Sequence, residues 1–285
     1  MFSAAFEYHA PATVQEAVQL LAKFGDNGKV ITGGMSLIPL MKFRLARPAQ
    51  LVDLRKLAEL KGVKEVGGKI VIGARTTHAE LEANALLKAK CPLIAKAASH
   101  VGDQQVRNRG TIGGNLVHAD PAADLPAAMM ALDAEFTLQG KSTRTVKAKD
   151  FFVDALQSAV KPDEILVSIS VPATSTKAAY AKLAQQASGF ALVGAAVVLD
   201  MKGTTCSAAR IGITGVCGKA FRASSVEAAL AGKTLDAKTI QAAADAVVKD
   251  IKHPLEDPLN GSGEYRTGAA KAIVARAIQE AVAAA

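Results

Sequence analysis

Apolar residues follow two different periods along the chain, and segments with the two periods alternate. Thr13 and Glu16 have the spacing of a capping box, and the apolar residues after them recur on one helical face as far as Gly25. The next apolar run, residues 29–32, is short and continuous, which predicts a buried strand. Two glycines and an apolar stretch from Leu37 follow it, so we expect a strand, a glycine turn and a helix start.

The same alternation predicts further strands and helices before residue 174. We expect strands at 51–54, 63–66, 70–72, 134–138, 143–147 and 165–171, and helices at 79–88 and 92–101. The segment 103–126 differs, because it is polar and rich in glycine and has no regular period. It predicts a long ordered loop, and such loops often carry function.

The last third of the chain has its own order of elements. A linker is predicted at residues 174–177, followed by antiparallel strands at 180–183, 191–199 and 208–214. Alanine-rich helices are then predicted from Ser225, Ala237 and Thr267. Strands followed by helices are typical of a separate α+β domain, so we predict domains at 1–177 and 178–285.

Nothing in the sequence predicts a membrane span or a secretory signal. Residues 191–199 form the longest apolar stretch, whereas a transmembrane helix needs about 20 residues. The N-terminal segment has no basic start and carries Glu7 where a signal would be apolar. We therefore expect a cytoplasmic protein without a transmembrane segment.

Charge and cysteine usage narrow the function classes. The net charge of +8 comes from basic residues scattered along the chain, and no tryptophan is present for base stacking, so we expect no nucleic-acid partner. Cys91, Cys206 and Cys217 form no C-x-x-C pair and cannot supply the four ligands of an iron–sulfur cluster. Redox chemistry would have to come from a bound organic cofactor.

Two short glycine-rich segments are the strongest candidates for a binding site. Residues 32–36 read TGGMS and residues 111–115 read TIGGN. Because glycine has no Cβ, backbone N–H groups in both segments can surround an anion, and Thr, Ser and Asn side chains add donors. One such turn usually only reverses the chain, but two indicate the sides of a pyrophosphate cradle. Arg107 and Arg109 could neutralise a phosphate there or could be solvated.

Other chemical motifs fit less well. An AGKT segment resembles part of a P-loop, but the required first glycine falls on Glu227, and no G-x-G-x-x-G follows the first strand. His118, Asp120 and Asp124 could be metal ligands or an acid–base set, but no second cluster completes a metal site. We expect the two aspartates to cap the helix entered at 121–126 or to accept hydrogen bonds from cofactor hydroxyls.

Four longer segments together resemble a known family. They are, in order, TGGMSLIPLMKFRLARP, QVRNRGTIGGNLVHADPAADLP, DEILVSISVP and GFALVGAAVVL. Over essentially its full length the chain resembles the FAD-binding medium subunit of the xanthine dehydrogenase and carbon monoxide dehydrogenase family of molybdenum hydroxylases. The resemblance implies an α+β fold with a PCMH-type FAD-binding domain, as in vanillyl-alcohol oxidase. That domain has two α+β subdomains, about 1–56 and 57–177, and a C-terminal domain with a three-stranded antiparallel sheet and helices follows it.

The resemblance also implies where FAD binds. The two glycine loops bind its pyrophosphate, Val101 lines the site, and Asp124 meets the ribityl or flavin end. Leu166 and Lys182 occupy positions that contact the cofactor in relatives. Phe190 matches a Tyr or Phe whose ring can lie over the isoalloxazine, although a core position is the alternative. The implied cofactor-binding residues are Thr32, Gly33, Gly34, Met35, Ser36, Val101, Thr111, Ile112, Gly113, Gly114, Asn115, Asp124, Leu166, Lys182 and Phe190.

The mode of binding and the assembly are implied in the same way. Met35 stands where relatives often have the histidine of GGHS, so we expect noncovalent FAD. No catalytic side chain and no metal ligand is expected in this chain. The molybdenum cofactor would lie on a large molybdopterin subunit and [2Fe-2S] clusters on a small subunit, in a dimer of heterotrimers. Electrons would pass from the clusters through FAD to a quinone, NAD or another acceptor, in the cytoplasm or at the inner membrane face.

Two alternatives remain open at this stage. A stand-alone FAD-dependent oxidase of the vanillyl-alcohol-oxidase type would bind FAD similarly but would also need acid–base residues in a substrate cap, and the residues after 177 are poor in such clusters. A non-enzymatic nucleotide-binding subunit would recognise only a diphosphate. A flavin absorption band distinguishes this subunit from both flavoenzymes.

Overall fold

A computed structural model describes residues 2–174 and 177–284 of the chain, and its first sheet is parallel. Its strands lie in the order β1-β3-β2. Helix α1 connects β1 to β2, and its apolar face is buried after the N-cap at Thr13, as the sequence predicts. The elements are β1 (Glu7–His9), α1 (Val14–Phe24), β2 (Gly28–Ile31), α2 (Leu37–Lys42) and β3 (Gln50–Asp53).

The second sheet has the order β4-β5-β10-β6-β7, and its neighbouring strands are antiparallel. Its strands agree with the predicted ranges to within one or two residues, and helices from the intervening chain pack against it. The elements are β4 (Val63–Val66), β5 (Lys69–Gly73), α3 (His78–Ala83), α4 (Ala85–Lys90), α5 (Pro92–Ser99), α6 (Gln104–Arg109), α7 (Ile112–His118), α8 (Leu125–Ala131), β6 (Glu135–Gln139), β7 (Thr143–Lys147), α9 (Ala148–Phe151), β8 (Phe152–Asp154), β9 (Gln157–Ser158) and β10 (Ile165–Pro172).

The third sheet contains the predicted antiparallel strands, here β11, β12 and β13, and the predicted α+β fold is confirmed. Two short strands, β14 and β15, pair with β13. The predicted linker includes residues 175 and 176, which lie outside the described residues. The elements are β11 (Ala178–Ala184), β12 (Ala191–Lys202), β13 (Thr205–Thr214), β14 (Phe221–Arg222), α10 (Ser224–Leu230), β15 (Lys233–Thr234), α11 (Ala237–Asp245) and α12 (Gly263–Ala283).

The third sheet is buried on both faces. Ala196 and Val198 of β12 pack into a core with α5, α7, α8 and the second sheet. Val197 and Leu199 point the opposite way, into a core with α10, α11 and α12. A strand buried on both sides is apolar at successive positions, which explains the continuous apolar run of this segment. The sheet is therefore a shared wall between two cores.

Two predictions of secondary structure were wrong. The segment predicted as a long ordered loop contains α6, α7 and the start of α8, because its polar residues cap short helices. Asp103 Oδ1 accepts from Val106 N at 2.7 Å, and Thr111 caps α7. The helix predicted at 79–88 is divided into α3 and α4 at Asn84, whose Oδ1 accepts from Leu87 N at 3.0 Å.

Length and apolar character decide whether a helix can cross a membrane. Within 2–174 and 177–284, no helix combines the length and the apolar character required to cross a bilayer.

The ion pair of Glu164, just before β10, allows a test of what stabilises the second sheet. Arg144 donates from Nε and Nη2 to the two carboxylate oxygens at 2.7 Å each, and these bonds hold the pKa of Glu164 below its ordinary value of 4.5. A lowered pKa means that the stabilisation is present above pH 4.5 and is lost as the pH falls further. Glu164→Gln should therefore lower the free energy of unfolding by about 1.5–3 kcal/mol at pH 7, as for bonds to charged groups.

Urea unfolding between pH 7 and pH 3 measures this effect. The difference between wild type and Glu164→Gln should shrink toward pH 3. The matched control is Glu59→Gln, at an exposed residue with no hydrogen bond or ion pair to a described residue. Equal losses in the two variants would contradict the assignment.

Candidate functional site

The two glycine loops lie against each other, although Thr32 and Thr111 are 79 residues apart in sequence. The first loop leaves β2 and the second opens α7. Thr32 Oγ1 and Thr111 Oγ1 are 2.9 Å apart and share a hydrogen bond. A Cβ at Gly33 would overlap the carbonyl oxygen of Arg109, so only glycine permits this approach. Gly33 is therefore required for packing between the loops, and not for the open space around a phosphate that the sequence suggests.

The backbone of the second loop is already satisfied by the protein. Its N–H groups donate from Ile112 to Thr76 O at 3.0 Å, from Gly113 to Ala74 O at 2.8 Å, from Gly114 to Thr111 Oγ1 at 3.2 Å and from Asn115 to Thr111 O at 3.0 Å. These groups are not free to surround an anion. The backbone of this loop therefore has its acceptors within the protein, and the binding of the cofactor by the two loops stays a prediction.

The backbone of the first loop has the opposite character. None of the N–H groups of residues 32–36 donates to an acceptor in the described part of the chain. Gly34 has φ +76°, a left-handed conformation that favours glycine, and Met35 and Ser36 are exposed. Unpaired backbone donors need a partner, either solvent or a ligand. This loop therefore offers a row of donors to an anion.

Asn115 gives a second sign of a missing partner. Its Oδ1 is buried and has no hydrogen-bond donor among the described residues. Next to it, Gly114 is exposed, and a Cβ there would lie 3.0 Å from Thr111 Oγ1 and 3.2 Å from Thr32 Oγ1. Buried polar atoms are usually paired, so the site fits a polar ligand that supplies a donor.

A buried charge cluster lies beyond α7. Tyr180 donates from its hydroxyl to Asp124 Oδ1 at 2.6 Å, and Lys182 Nζ lies 2.8 Å from the same oxygen and 3.0 Å from Oδ2. Lys182 also donates to the carbonyl of His100 at 2.9 Å. Burial raises the pKa of Asp124, while Lys182 and Tyr180 oppose the rise. Burial and the neighbouring carboxylate raise the pKa of Tyr180 well above its ordinary value, so the hydroxyl keeps its proton.

The predicted capping of α8 by the two aspartates is wrong, while hydrogen bonds from cofactor hydroxyls stay a prediction. Asp124 makes no capping hydrogen bond to α8. Asp120 Oδ1 accepts from Ala122 N at 2.8 Å and so stabilises a turn. Among the residues that the structure describes, no group of three or more His, Cys, Asp or Glu could hold a metal ion.

The remaining predicted residues occupy three environments. Val101 is buried two residues after the end of α5, next to the His100 carbonyl that Lys182 contacts. Leu166 is buried on β10, where the neighbouring Val167 O accepts from Ala74 N, so this strand supports the second loop. Phe190 follows Gly189, whose φ is +71°, and its side chain is half exposed. The alternative that its ring lies in the hydrophobic core is therefore wrong.

Sequence reasoning missed Tyr180 and the glycine that makes room for it. A Cβ at Gly194 on β12 would overlap the Tyr180 hydroxyl. The available signal was weak, because Tyr180 is simply the one buried tyrosine in a strand of alanines. Its partner Asp124 is distant in sequence, and pairing across the two domains cannot be obtained from periodicity.

Comparison with known proteins covers nearly the whole chain. A family model described as "FAD binding domain in molybdopterin dehydrogenase" matches residues 4–174, and one described as "CO dehydrogenase flavoprotein C-terminal domain" matches residues 178–281. The carbon monoxide dehydrogenase medium chain of Hydrogenophaga pseudoflava is 42% identical over 279 residues, which cover 97% of this chain and 96% of that protein.

Solved structures agree with this match. One is carbon monoxide dehydrogenase from Hydrogenophaga pseudoflava, in a form that lacks the Mo-pyranopterin moiety of the molybdenum cofactor. A chain of that structure matches this chain with a TM-score of 0.95 and 42% sequence identity, and the match covers 100% of both chains. A chain of quinoline 2-oxidoreductase from Pseudomonas putida 86 matches this chain with a TM-score of 0.94 and 36% sequence identity, and the match covers 99% of both chains.

The charge cluster generates a testable prediction. Lys182→Met leaves the Asp124 carboxylate buried without its cation, which should lower the free energy of unfolding by about 3–5 kcal/mol near pH 7. The raised pKa of Asp124 means that a lower pH protonates the carboxyl and removes the unpaired charge. The deficit should therefore shrink as the pH falls and grow as it rises. Urea unfolding between pH 5 and pH 8 measures it.

The double variant Lys182→Met/Asp124→Asn is the control, because it removes both charges. It should recover most of the lost stability. A double variant as unstable as Lys182→Met, or a deficit that does not change with pH, would show that the lysine contributes only through its packing.

Proposed function

The chain belongs to the family of FAD-binding medium subunits of molybdenum hydroxylases of the carbon monoxide dehydrogenase and xanthine dehydrogenase type, and from this we propose how it binds and uses FAD. It holds FAD noncovalently between the two glycine loops. It passes electrons from the iron–sulfur clusters of a small subunit through this flavin to a quinone, NAD or another acceptor. FAD supplies the exchange of two electrons, and the residues of this chain supply position and electrostatics.

One observation carries the proposal: the backbone donors of the first loop have no acceptor in the described part of the chain, whereas those of the neighbouring second loop are satisfied. The N–H groups of residues 32–36 bind the pyrophosphate, because a run of backbone donors suits an anion. Thr111 and Gly113 fix the second loop in place, and Asn115 Oδ1 accepts a hydrogen bond from a cofactor hydroxyl. The first loop thus binds the anion, and the second loop provides a fixed backbone and a side-chain acceptor.

The charge cluster serves the flavin end of the site. Asp124 is held by Lys182 and Tyr180, and Lys182 also by the carbonyl of His100, so their polar groups are fixed before the cofactor arrives. Fixed dipoles and charges need no reorganisation when a ligand binds. Val101 and Leu166 provide apolar walls, and Phe190 limits access to one face of the isoalloxazine ring.

The assembly follows from the same family membership. Relatives are named medium chains or subunits, for example the alpha subunit of the 6-hydroxypseudooxynicotine dehydrogenase complex of Paenarthrobacter nicotinovorans. For this chain we propose a large molybdopterin subunit and a small [2Fe-2S] subunit as partners, in a dimer of heterotrimers in the cytoplasm or at the inner membrane face. The chain itself is divided into an FAD-binding domain, 1–177, and a C-terminal domain, 178–285.

The cofactor site predicts different effects for two glycines. Gly114→Val should remove most FAD while the fold is kept, because the side chain enters the exposed space beside Thr32 and Thr111. Gly268→Ala is the control, since its Cβ meets nothing within 4 Å. Flavin content after purification and the unfolding temperature of the apoprotein measure the two effects.

Acid precipitation of the wild-type chain should release intact FAD into the supernatant. Flavin that stays on the pellet, or FMN in place of FAD, would overturn noncovalent FAD binding. Equal flavin content in Gly114→Val and Gly268→Ala would overturn the placement of the cofactor between the loops.

The proposed electron path predicts at which step electron transfer stops in an assembled complex that lacks this flavin. In a complex that carries Gly114→Val, substrate should still reduce the iron–sulfur clusters, but turnover with the acceptor should be lost. Electron paramagnetic resonance follows the clusters and absorbance follows the acceptor. Full acceptor turnover without FAD would exclude the flavin from the path.

A further inference from the structure

Arg107, on α6, is tied to three neighbouring parts of the chain. Its Nε donates to Glu82 Oε2 on α3 at 2.9 Å, and its Nη1 donates to the carbonyls of Val101 at 3.3 Å and Gly102 at 3.1 Å. Its Nη2 donates to Gln104 Oε1 at 3.1 Å, and the side chain is 15% exposed. One N–H of the guanidinium remains without an acceptor among the described residues, whereas two-pronged binding of a phosphate needs two.

The carbonyls that Arg107 holds belong to the segment that carries Val101. This segment, residues 100–102, follows α5 directly. Carbonyls near the C-terminus of a helix lack partners within the helix, and cations often satisfy them. Lys182 donates to the first of the three carbonyls, that of His100, at 2.9 Å, and Arg107 donates to the other two. Each carbonyl of the segment is therefore bonded to a cation, one from β11 and one from α6.

The turn after Val101 depends on these bonds. Gly102 has φ +50°, a left-handed conformation that favours glycine, and a Cβ there would lie 2.9 Å from the Cβ of Val106. Glycine makes the turn possible, but it loses more conformational freedom on folding than other residues and has no side chain to hold the turn. The guanidinium of Arg107 holds it, and Glu82 on α3 holds the guanidinium in place.

We propose that Arg107 is a positioning residue of the FAD site, which acts through Val101 and not by binding a phosphate. The inference rests on the proposed function, in which Val101 is an apolar wall of that site. Without the bonds of Arg107 the turn has more conformations, so FAD has to order Val101 when it binds and is bound more weakly. In the electrostatic alternative, the cation attracts the pyrophosphate directly.

A double-mutant cycle separates positioning from an independent contact. FAD is titrated into the full-length apoprotein, and the change in flavin fluorescence gives the dissociation constant. Arg107→Gln should weaken FAD binding about tenfold, which corresponds to one hydrogen bond of a charged group. Val101→Ala should also weaken it. The double variant Arg107→Gln/Val101→Ala should bind FAD about as well as Val101→Ala alone, because little of the wall is left to be positioned.

Glu82→Ala distinguishes positioning from attraction of the phosphates. It removes the anchor of the guanidinium together with one negative charge. Positioning predicts weaker FAD binding, whereas electrostatic attraction predicts equal or tighter binding. Arg210→Gln is the matched control, because Arg210 on β13 forms a similar ion pair with Asp200 on β12. This control should bind FAD as the wild type does.

Unfolding temperatures of the apoproteins show which variants are folded, and Glu82→Ala replaces Arg107→Gln in the cycle if the latter does not fold. Losses of affinity that multiply in the double variant would overturn the inference. So would wild-type affinity in Arg107→Gln, or in Glu82→Ala. A wild-type chain that binds no FAD would instead overturn the proposed function.

Discussion

The burial of the Asp124 carboxylate is the constraint on which the arrangement of the site depends. A charge so far from solvent is tolerated only with a counter-ion and hydrogen bonds, and here both come from β11 of the third sheet. The segment after the second glycine loop is therefore tied to the C-terminal sheet by Tyr180 and Lys182. Glycine at position 194 keeps the space that this contact needs.

The two glycine loops show that similar sequences can have different physical roles. In TIGGN the N–H groups are used inside the protein, by Ala74, Thr76 and the Thr111 cap. In TGGMS the N–H groups have no acceptor among the described residues, and the chain turns directly into α2. A rigid loop next to a loop with free donors is a preorganised arrangement, in which little backbone entropy remains to be lost when a ligand binds.

The sequence predicts the elements better than it predicts the site. Periodicity places β7 and β10 correctly because side-chain alternation is local, and the resemblance to a known family supplies the fold. Periodicity does not predict α6 and α7, because these short polar helices are stabilised by caps at Asp103 and Thr111. It cannot show that the N–H groups of TIGGN are occupied, or that Tyr180 meets Asp124, because both facts depend on contacts between distant segments. The sequence therefore indicates which residues belong to the candidate site, but not the hydrogen-bond partners of these residues.

The third sheet fixes the segment between Asp120 and Asp124 with one set of bonds. Ala191 N donates to Ala122 O at 3.1 Å, and Thr214 Oγ1 donates to the carbonyls of Pro121 and Ala123 at 2.8 Å each. These bonds hold the turn that carries Asp120 on one side and leads to Asp124 on the other. A shift of β12 would therefore move Phe190 and the charge cluster together. The backbone of a buried sheet resists such shifts, so the position of Phe190 relative to the charge cluster is set by the fold.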